Sequence, residues 1–363
     1  MLITSVKKEN KVSEEALTIK IDPLDQAAMD RSRAVWTSVC KPLGSLGLLE
    51  DLVVRLAGIF GTEDVRITKR CAVIVCADNG VIEEGVTQAD AGVTAAVAAE
   101  IAEGKSNINI MADAAGIDTV AVDVGMRDEV SHPGVLQYKI ANGTKNMTKG
   151  PAMTREQTIT AIQTGILLAG QMKEQGYQIL LTGEMGIGNT TTSSAIASVL
   201  LGLPVEEVTG RGAGLSSDGL QRKIAAIHRA IEVNAPDKED PLDVLSKLGG
   251  FDIAAMVGLF LGGGIYRIPV VIDGLISSIA ALLATQIHTG CVDYMLASHM
   301  TEEPAGRMVL ERLGLPAIVH AGMRLGEGTG AVCLIPILDI ALAEYHNAHR
   351  FGASGIAQYE KLD

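Results

Sequence analysis

Aromatic side chains are scarce in this 363-residue chain: Phe, Trp and Tyr together make up 3% of it. The core therefore has to be built from Ala, Val, Ile, Leu and Met. A hydrophobic content of 47% and a mean hydropathy of +0.27 make a large one feasible. Positive charge is also short, with 30 Lys and Arg against 43 Asp and Glu and a net charge of −13. No basic stripe is present to neutralise a polyphosphate backbone, which argues against a nucleic-acid surface. A small anion held by local backbone amides is still admitted.

The five cysteines are odd in number and no two form C-x-x-C. They read as reduced thiols in the core of a cytoplasmic protein rather than as disulfides or zinc ligands. The seven histidines are scattered, and H-E-x-x-H, Cys/His clusters and G-x-S-x-G are all missing. Neither a metal nor a nucleophilic triad is expected, and no cofactor. Residues 1–15 are polar and contain lysine, so no signal peptide is expected. Residues 274–292 lack Asp, Glu, Lys and Arg, but they carry Ser277, Ser278, Thr285, Gln286, His288 and Thr289. A buried helix covering a parallel sheet fits this stretch better than a membrane span.

Glycine, in contrast, is abundant: 40 residues, clustered and not periodic. Clustered glycines suggest tight turns where backbone approaches a ligand. Between the clusters, short apolar runs at 71–76, 119–124, 178–182, 268–272 and 294–297 read as strands. Helix-compatible stretches at 93–102, 154–175, 190–201, 275–286 and 305–313 separate most of them. This alternation predicts an α/β fold, an open parallel sheet flanked by crossover helices. Residues 23–36, 46–60 and 331–346 read as helices with no strand between them and their neighbours. A small helical domain formed from both termini, 1–62 with 338–363, is therefore expected beside a large α/β domain, 63–337. Residues 126–153 read as a long loop or hairpin, and 234–240 as a charged surface connection.

Three glycine turns carry the chemistry. Thr182-Gly-Glu-Met-Gly-Ile-Gly-Asn-Thr-Thr-Thr192 follows a strand and opens a helix that Asn189 or Thr190 can cap. Its spacing resembles a P-loop with asparagine in place of the lysine, so it suits phosphate binding at a helix N-terminus more than phosphoryl transfer. A plain capped turn is the alternative. Glu184 inside it would be repelled by a phosphate; it is either a surface residue or has another task, such as holding ribose hydroxyls. In Thr209-Gly-Arg-Gly-Ala-Gly214, Arg211 can clamp a phosphate or sit solvated. In Arg324-Leu-Gly-Glu-Gly-Thr-Gly330, Glu327 stands between glycines in an apolar setting, where burial would lift its pKa toward that of a general base. Ordinary complementarity to a helix dipole is the plain reading there. Asp78-Asn79, Asp273 and Ser298-His299 end other strands, where ligands bind in open α/β sheets; Asp78-Asn79 is equally a plain turn, Asp273 can hold ribose hydroxyls or cap the next helix, and a lone histidine such as His299 is more often structural.

Seven runs occur in order: Lys41-Pro-Leu-Gly-Ser-Leu-Gly47, Ala77-Asp-Asn-Gly-Val-Ile-Glu-Glu-Gly-Val86, Gly183-Glu-Met-Gly-Ile-Gly-Asn-Thr-Thr191, Thr209-Gly-Arg-Gly-Ala-Gly214, Gly249-Gly-Phe-Asp-Ile-Ala-Ala255, Val271-Ile-Asp-Gly274 and Leu325-Gly-Glu-Gly-Thr-Gly330. Together they closely resemble the nicotinate-nucleotide–dimethylbenzimidazole phosphoribosyltransferase family, over residues 23–344. The resemblance implies a Rossmann-like large domain, a homodimer, no metal, and transfer of phosphoribose from nicotinate mononucleotide to a benzimidazole-type base. It places the catalytic glutamate on Glu327 and a second active-site glutamate on Glu184. It puts substrate contacts on Asp78, Asn79, Gln88, Gly183, Met185, Gly186, Gly188, Asn189, Thr190, Thr191, Gly210, Arg211, Gly212, Gly214, Asp273, Ser298, Leu325 and Gly326. Many members carry histidine where this chain has Asn79.

Overall fold

A computed structural model describes residues 17–360 except Ala91. The polar start, residues 1–15, lies outside the described residues. Six strands form one sheet: β1 (Arg70–Ala77), β2 (Asp118–Gly125), β3 (Val135–Gln137), β4 (Ile179–Met185), β5 (Val270–Ile272) and β6 (Met295–Ala297). Their order is β3-β2-β1-β4-β5-β6 and every pairing is parallel. Strand order reverses between β1 and β4. Loops leaving those two strands diverge there, which opens a crevice at their carboxyl ends.

The strands are apolar on both faces because helices cover both. In β1, Cys71, Val73, Val75 and Ala77 join one core, and Ala72, Ile74 and Cys76 the other. The first core holds helices Arg155–Glu174, Phe251–Tyr266 and Leu275–Ile287. The second holds Gln26–Ser38, Leu48–Phe60, Gly92–Ala102, Asn107–Ala114 and Thr329–Asn347. The terminal helices thus share a continuous core with the sheet, through residues such as Trp36, Leu56, Leu338 and Tyr345. Thr329–Asn347 runs unbroken through residues 337 and 338. It is long and apolar enough to cross a membrane, yet 56% of that stretch is buried within the protein.

The charge-free stretch at 274–292 is the buried helix Leu275–Ile287, as its flanking strand implied. Of the two readings of residues 126–153, the long loop holds and the hairpin does not: the three-residue strand Val135–Gln137 adds to β2 in parallel, with register Ala121 to Val135. The long stretch between 201 and 268, from which no regular element was read, holds the helices Ser217–Asn234, Pro241–Leu248 and Phe251–Tyr266. The last of these looks too glycine-rich for a helix. Its glycines serve close packing instead: a Cβ on Gly258 would collide with the carbonyl oxygen of Ile162 in the helix Arg155–Glu174.

Candidate active site

The sequence-predicted turns after β1, β4, β5 and β6 meet at one edge of the sheet. Gly186–Asn189 follows β4, and the helix Asn189–Leu201 starts there with Gly188 as its N-cap, at φ 95°. Asn189 or Thr190 was expected to cap this helix, and neither side chain does. The Asn189 side chain is turned inward because two buried carboxylates need a donor: its Nδ2 donates to Glu184 Oε2 and, at 3.2 Å, to Asp252 Oδ2. Glycine is required next to them, since a Cβ on Gly186 would collide with Asp252 Oδ2.

Around the helix start lies a cavity of about 80 Å³, lined by Gln88, Gly186, Gly188, Asn189, Thr190 and Arg211 among others. Small-molecule sites run from about 300 Å³ upward, so this space suits one phosphate-sized group. The helix N-terminus gives it a positive potential. Lys223, which the sequence reading missed, adds a cation from behind. It is fully buried, donating to Thr190 Oγ1 at 2.9 Å and to the Gly210 carbonyl at 3.1 Å. Nothing in its amphipathic helix marks it out. Two amides of the turn at 209–214 are engaged: Gly212 N–H donates to Glu303 Oε1 and Gly214 N–H to the Arg211 carbonyl. Backbone donation to a ligand from those two glycines is therefore not supported. Arg211 lines the cavity, with its guanidinium on the Leu215 carbonyl and Ser217. Gln88 reaches the Gly214 carbonyl.

The third glycine turn, 324–330, reaches this cavity's wall through Glu184: Gly326 lies against Glu184 Oε1, and Glu184 Oε2 accepts from Asn189 of the cavity lining. Gly326, Glu327 and Gly328 are all left-handed, at φ 85°, 60° and 88°. For a glutamate this conformation costs about 1–2 kcal/mol. The turn is pinned from two sides. Asp273, at the end of β5, accepts from Gly328 N–H at 3.2 Å and Ala331 N–H at 2.9 Å. It therefore caps Thr329–Asn347 rather than the helix that follows it in sequence, and both its oxygens are occupied by these amides. Gly183 on β4 packs against the Glu327 backbone. Glu327 itself is half-buried, and its Oε2 is buried without a partner among the described residues. Burial, and then the charges of Glu100 and Asp273, raises its carboxyl above the ordinary range.

Glu184 is no surface residue. It is buried on β4, with Oε1 2.7 Å from where a Cβ on Gly326 would sit. Burial, then the negative charges of Asp252 and Asp273, holds its carboxyl well above the usual carboxylate range.

Other expected contacts have structural partners. Asp78 accepts from Thr94 Oγ1 and from Arg127 N–H, both at 2.7 Å, so both oxygens brace loops. Ser298 donates to the Ile272 carbonyl at 2.6 Å and lies 3.1 Å from His299 Nδ1. Asn79 Nδ2 reaches the Ile187 carbonyl at 3.5 Å, and its Oδ1 is buried and unpartnered among the described residues. Thr191 Oγ1 is likewise buried and unpartnered among them. Met185 is buried, and Leu325 is exposed beside the Glu327 turn. Asp252 and Glu303 were also missed. The run Gly249-Gly250-Phe251-Asp252 was legible as a motif, but only the fold brings Asp252 to Glu184.

The phosphoribosyltransferase family model matches residues 21–356. Nicotinate-nucleotide–dimethylbenzimidazole phosphoribosyltransferase of Ruminiclostridium cellulolyticum is 47% identical over 350 residues, covering 96% of this chain and 99% of the relative. The chain belongs to the nicotinate-nucleotide–dimethylbenzimidazole phosphoribosyltransferase family. The relative of the same name from Clostridium acetobutylicum is 43% identical, covering 96% of this chain and 99% of its own. The crystal structure of CobT from Thermus thermophilus superposes with a TM-score of 0.87 at 36% identity, covering 92% of this chain and all of that one. This phosphoribosyltransferase thus shares the Rossmann-like fold of a solved member, as the seven runs implied.

Proposed function

We propose that this enzyme transfers the 5-phosphoribosyl group of nicotinate mononucleotide to 5,6-dimethylbenzimidazole or a related base. The products are α-ribazole 5′-phosphate and nicotinate, and the former supplies the nucleotide loop of cobalamin. The shared name of the relatives supports the choice of substrates. The observation that carries the mechanism is Glu327, a strained and half-buried carboxylate with one oxygen unpartnered among the described residues, on the same sheet edge as a phosphate-sized cavity at a helix N-terminus.

Glu327 takes the N–H proton of the base. The other ring nitrogen attacks C1′ with its lone pair while the bond from C1′ to the pyridinium nitrogen breaks. That electron pair neutralises the pyridinium, so nicotinate leaves without an acid. Direct displacement inverts C1′ from β to α. The 5-phosphate sits at the start of Asn189–Leu201, with Arg211 and the buried Lys223 supplying charge. Orientation and a preorganised, water-poor site account for much of the rate. We place the enzyme in the cytoplasm as a homodimer.

A panel of acceptors with nicotinate mononucleotide tests this. Nicotinate release with dimethylbenzimidazole and an α product is expected. A β product overturns direct inversion, and no release with any benzimidazole, purine or phenol overturns the function.

A further inference from the structure

Two glutamates in one site invite a division of labour, and the groups behind Glu184 decide which form it takes. Asn189 offers one NH₂ group to two carboxylates, Glu184 Oε2 and Asp252 Oδ2. Asp252 lies at the start of Phe251–Tyr266, is fully buried, and also accepts from Ile253 N–H at 2.9 Å. Asp252 is packed closely on its other side: a Cβ on Gly250 would collide with both Asn79 Oδ1 and Asp252 Oδ1. The largest charges acting on Glu184 are those of Asp252, Asp273 and Glu327, all acidic, while His299 acts on Asp273. Two buried carboxylates bridged by one neutral amide, and paired with no cation among the described residues, cannot both ionise.

We propose that Asp252 is a positioning residue of this site: through the shared Asn189 amide it keeps Glu184 in its neutral form, with an O–H available beside Glu327. This rests on the phosphoribosyl transfer proposed above. With Oε2 accepting from Asn189, the proton is on Oε1, the oxygen next to Gly326. Asp252 holds the negative charge because it has two donors, Ile253 N–H and Asn189, where Glu184 has Asn189 alone among the described residues. Glu184 then donates a hydrogen bond to an acceptor oxygen of the bound nucleotide. A neutral group in that place does not repel the phosphate and does not further hinder ionisation of Glu327. One carboxyl is thereby kept as a donor while its neighbour serves as the base.

The test is the pH profile of kcat/KM for Asp252→Asn, Glu184→Gln and Glu184→Ala in the full chain, each checked for folding by circular dichroism and thermal melting. Removing the charge of Asp252 makes Glu184 easier to ionise. The alkaline limb of Asp252→Asn should therefore move down by about one pH unit or more. The acid limb, set by Glu327, should stay in place, since Asp252 is not among the groups acting on Glu327. Glu184→Gln, which donates at every pH, should lose that alkaline limb and turn over at least about tenfold faster than Glu184→Ala. A uniform fall in activity with unmoved limbs in Asp252→Asn would reduce Asp252 to a structural part and overturn the proposal. So would a Glu184→Gln as slow as Glu184→Ala. If Asp252→Asn fails to fold, the two Glu184 variants decide the matter alone. Absence of nicotinate release from the wild-type enzyme would instead sink the transfer reaction itself.

Discussion

The backbone of Glu327 is seated on Gly183: a Cβ at residue 183 would lie 2.7 Å from the Glu327 carbonyl oxygen and 3.0 Å from its carbonyl carbon. The turn that carries the proposed base is therefore shaped by a missing side chain on β4. Gly183→Ala must push the turn outward or tilt the strand. A destabilisation of about 1–3 kcal/mol is expected from such overpacking. The expected kinetic effect is larger, at least about a hundredfold in kcat, because a misplacement of about 1 Å is that costly. Steady-state kinetics beside urea unfolding checks this; an alanine variant with normal kcat would show that the position of the turn is not critical.

Glu327→Gln keeps size and turn geometry and removes the basic oxygen. If Glu327 takes the proton, kcat should fall by roughly 10²–10⁴-fold. Binding of the mononucleotide, measured by calorimetry, should change little. Turnover within a few-fold of the wild-type value would move the base elsewhere. The acid limb of the wild-type profile should lie above the ordinary glutamate range, because burial raises this carboxyl.

The fold was legible where local rules agree with the tertiary outcome. Strands such as 71–76 are apolar throughout because both faces are covered, and the glycine turns mark their carboxyl ends. Glu327 and Glu184 were legible because a carboxylate between glycines, or inside a phosphate-type turn, breaks local expectation. The helix Phe251–Tyr266 was not, because Gly258 and Gly262–Gly264 lower helix propensity and only tertiary packing explains them: Gly258 and Gly262 meet Arg155–Glu174, Gly263 meets Val270, and Gly264 meets Ile21. Lys223 and Asp252 escaped for another reason. Each is a common residue in a common helical setting, and its meaning comes from a contact more than thirty residues away: Lys223 with Thr190, Asp252 with Asn189. Asn189 itself was misread because capping is a local rule, and the buried acids outcompeted it.

Asp273 ties β5 to the catalytic turn by accepting two amides at the start of Thr329–Asn347. Asp273→Ala should cost about 1–2 kcal/mol, as loss of a helix cap does. Loosening of residues 326–330 should accompany it, seen as faster amide hydrogen exchange in that turn. Unchanged protection would mean that Gly183 packing alone holds the turn. Asp273→Asn should retain part of the cap, since a carboxamide oxygen can still accept one of the two amides.

Lys223 gives a prediction with a definite sign in pH. Burial pushes its pKa down to about 8, against the opposing pull of Glu303. In an unfolded chain a lysine titrates at about 10.4. Between those two values the unfolded state holds the proton and the folded state does not. Folding then releases a proton, and stability from this group rises with pH across that window. Below about pH 8 both states are protonated, and the cost of burying the charge is constant. Lys223→Met removes the titration. The difference in unfolding free energy between wild type and variant, from urea melts, should therefore shift in favour of the wild type as pH climbs from about 8 to about 10.4. The same variant loses the donor that holds Thr190 Oγ1 and the Gly210 carbonyl, so KM for the mononucleotide should rise by about tenfold, with a smaller effect on kcat. A difference flat with pH would mean that Lys223 keeps its proton throughout, as a permanent cation behind the phosphate-sized cavity.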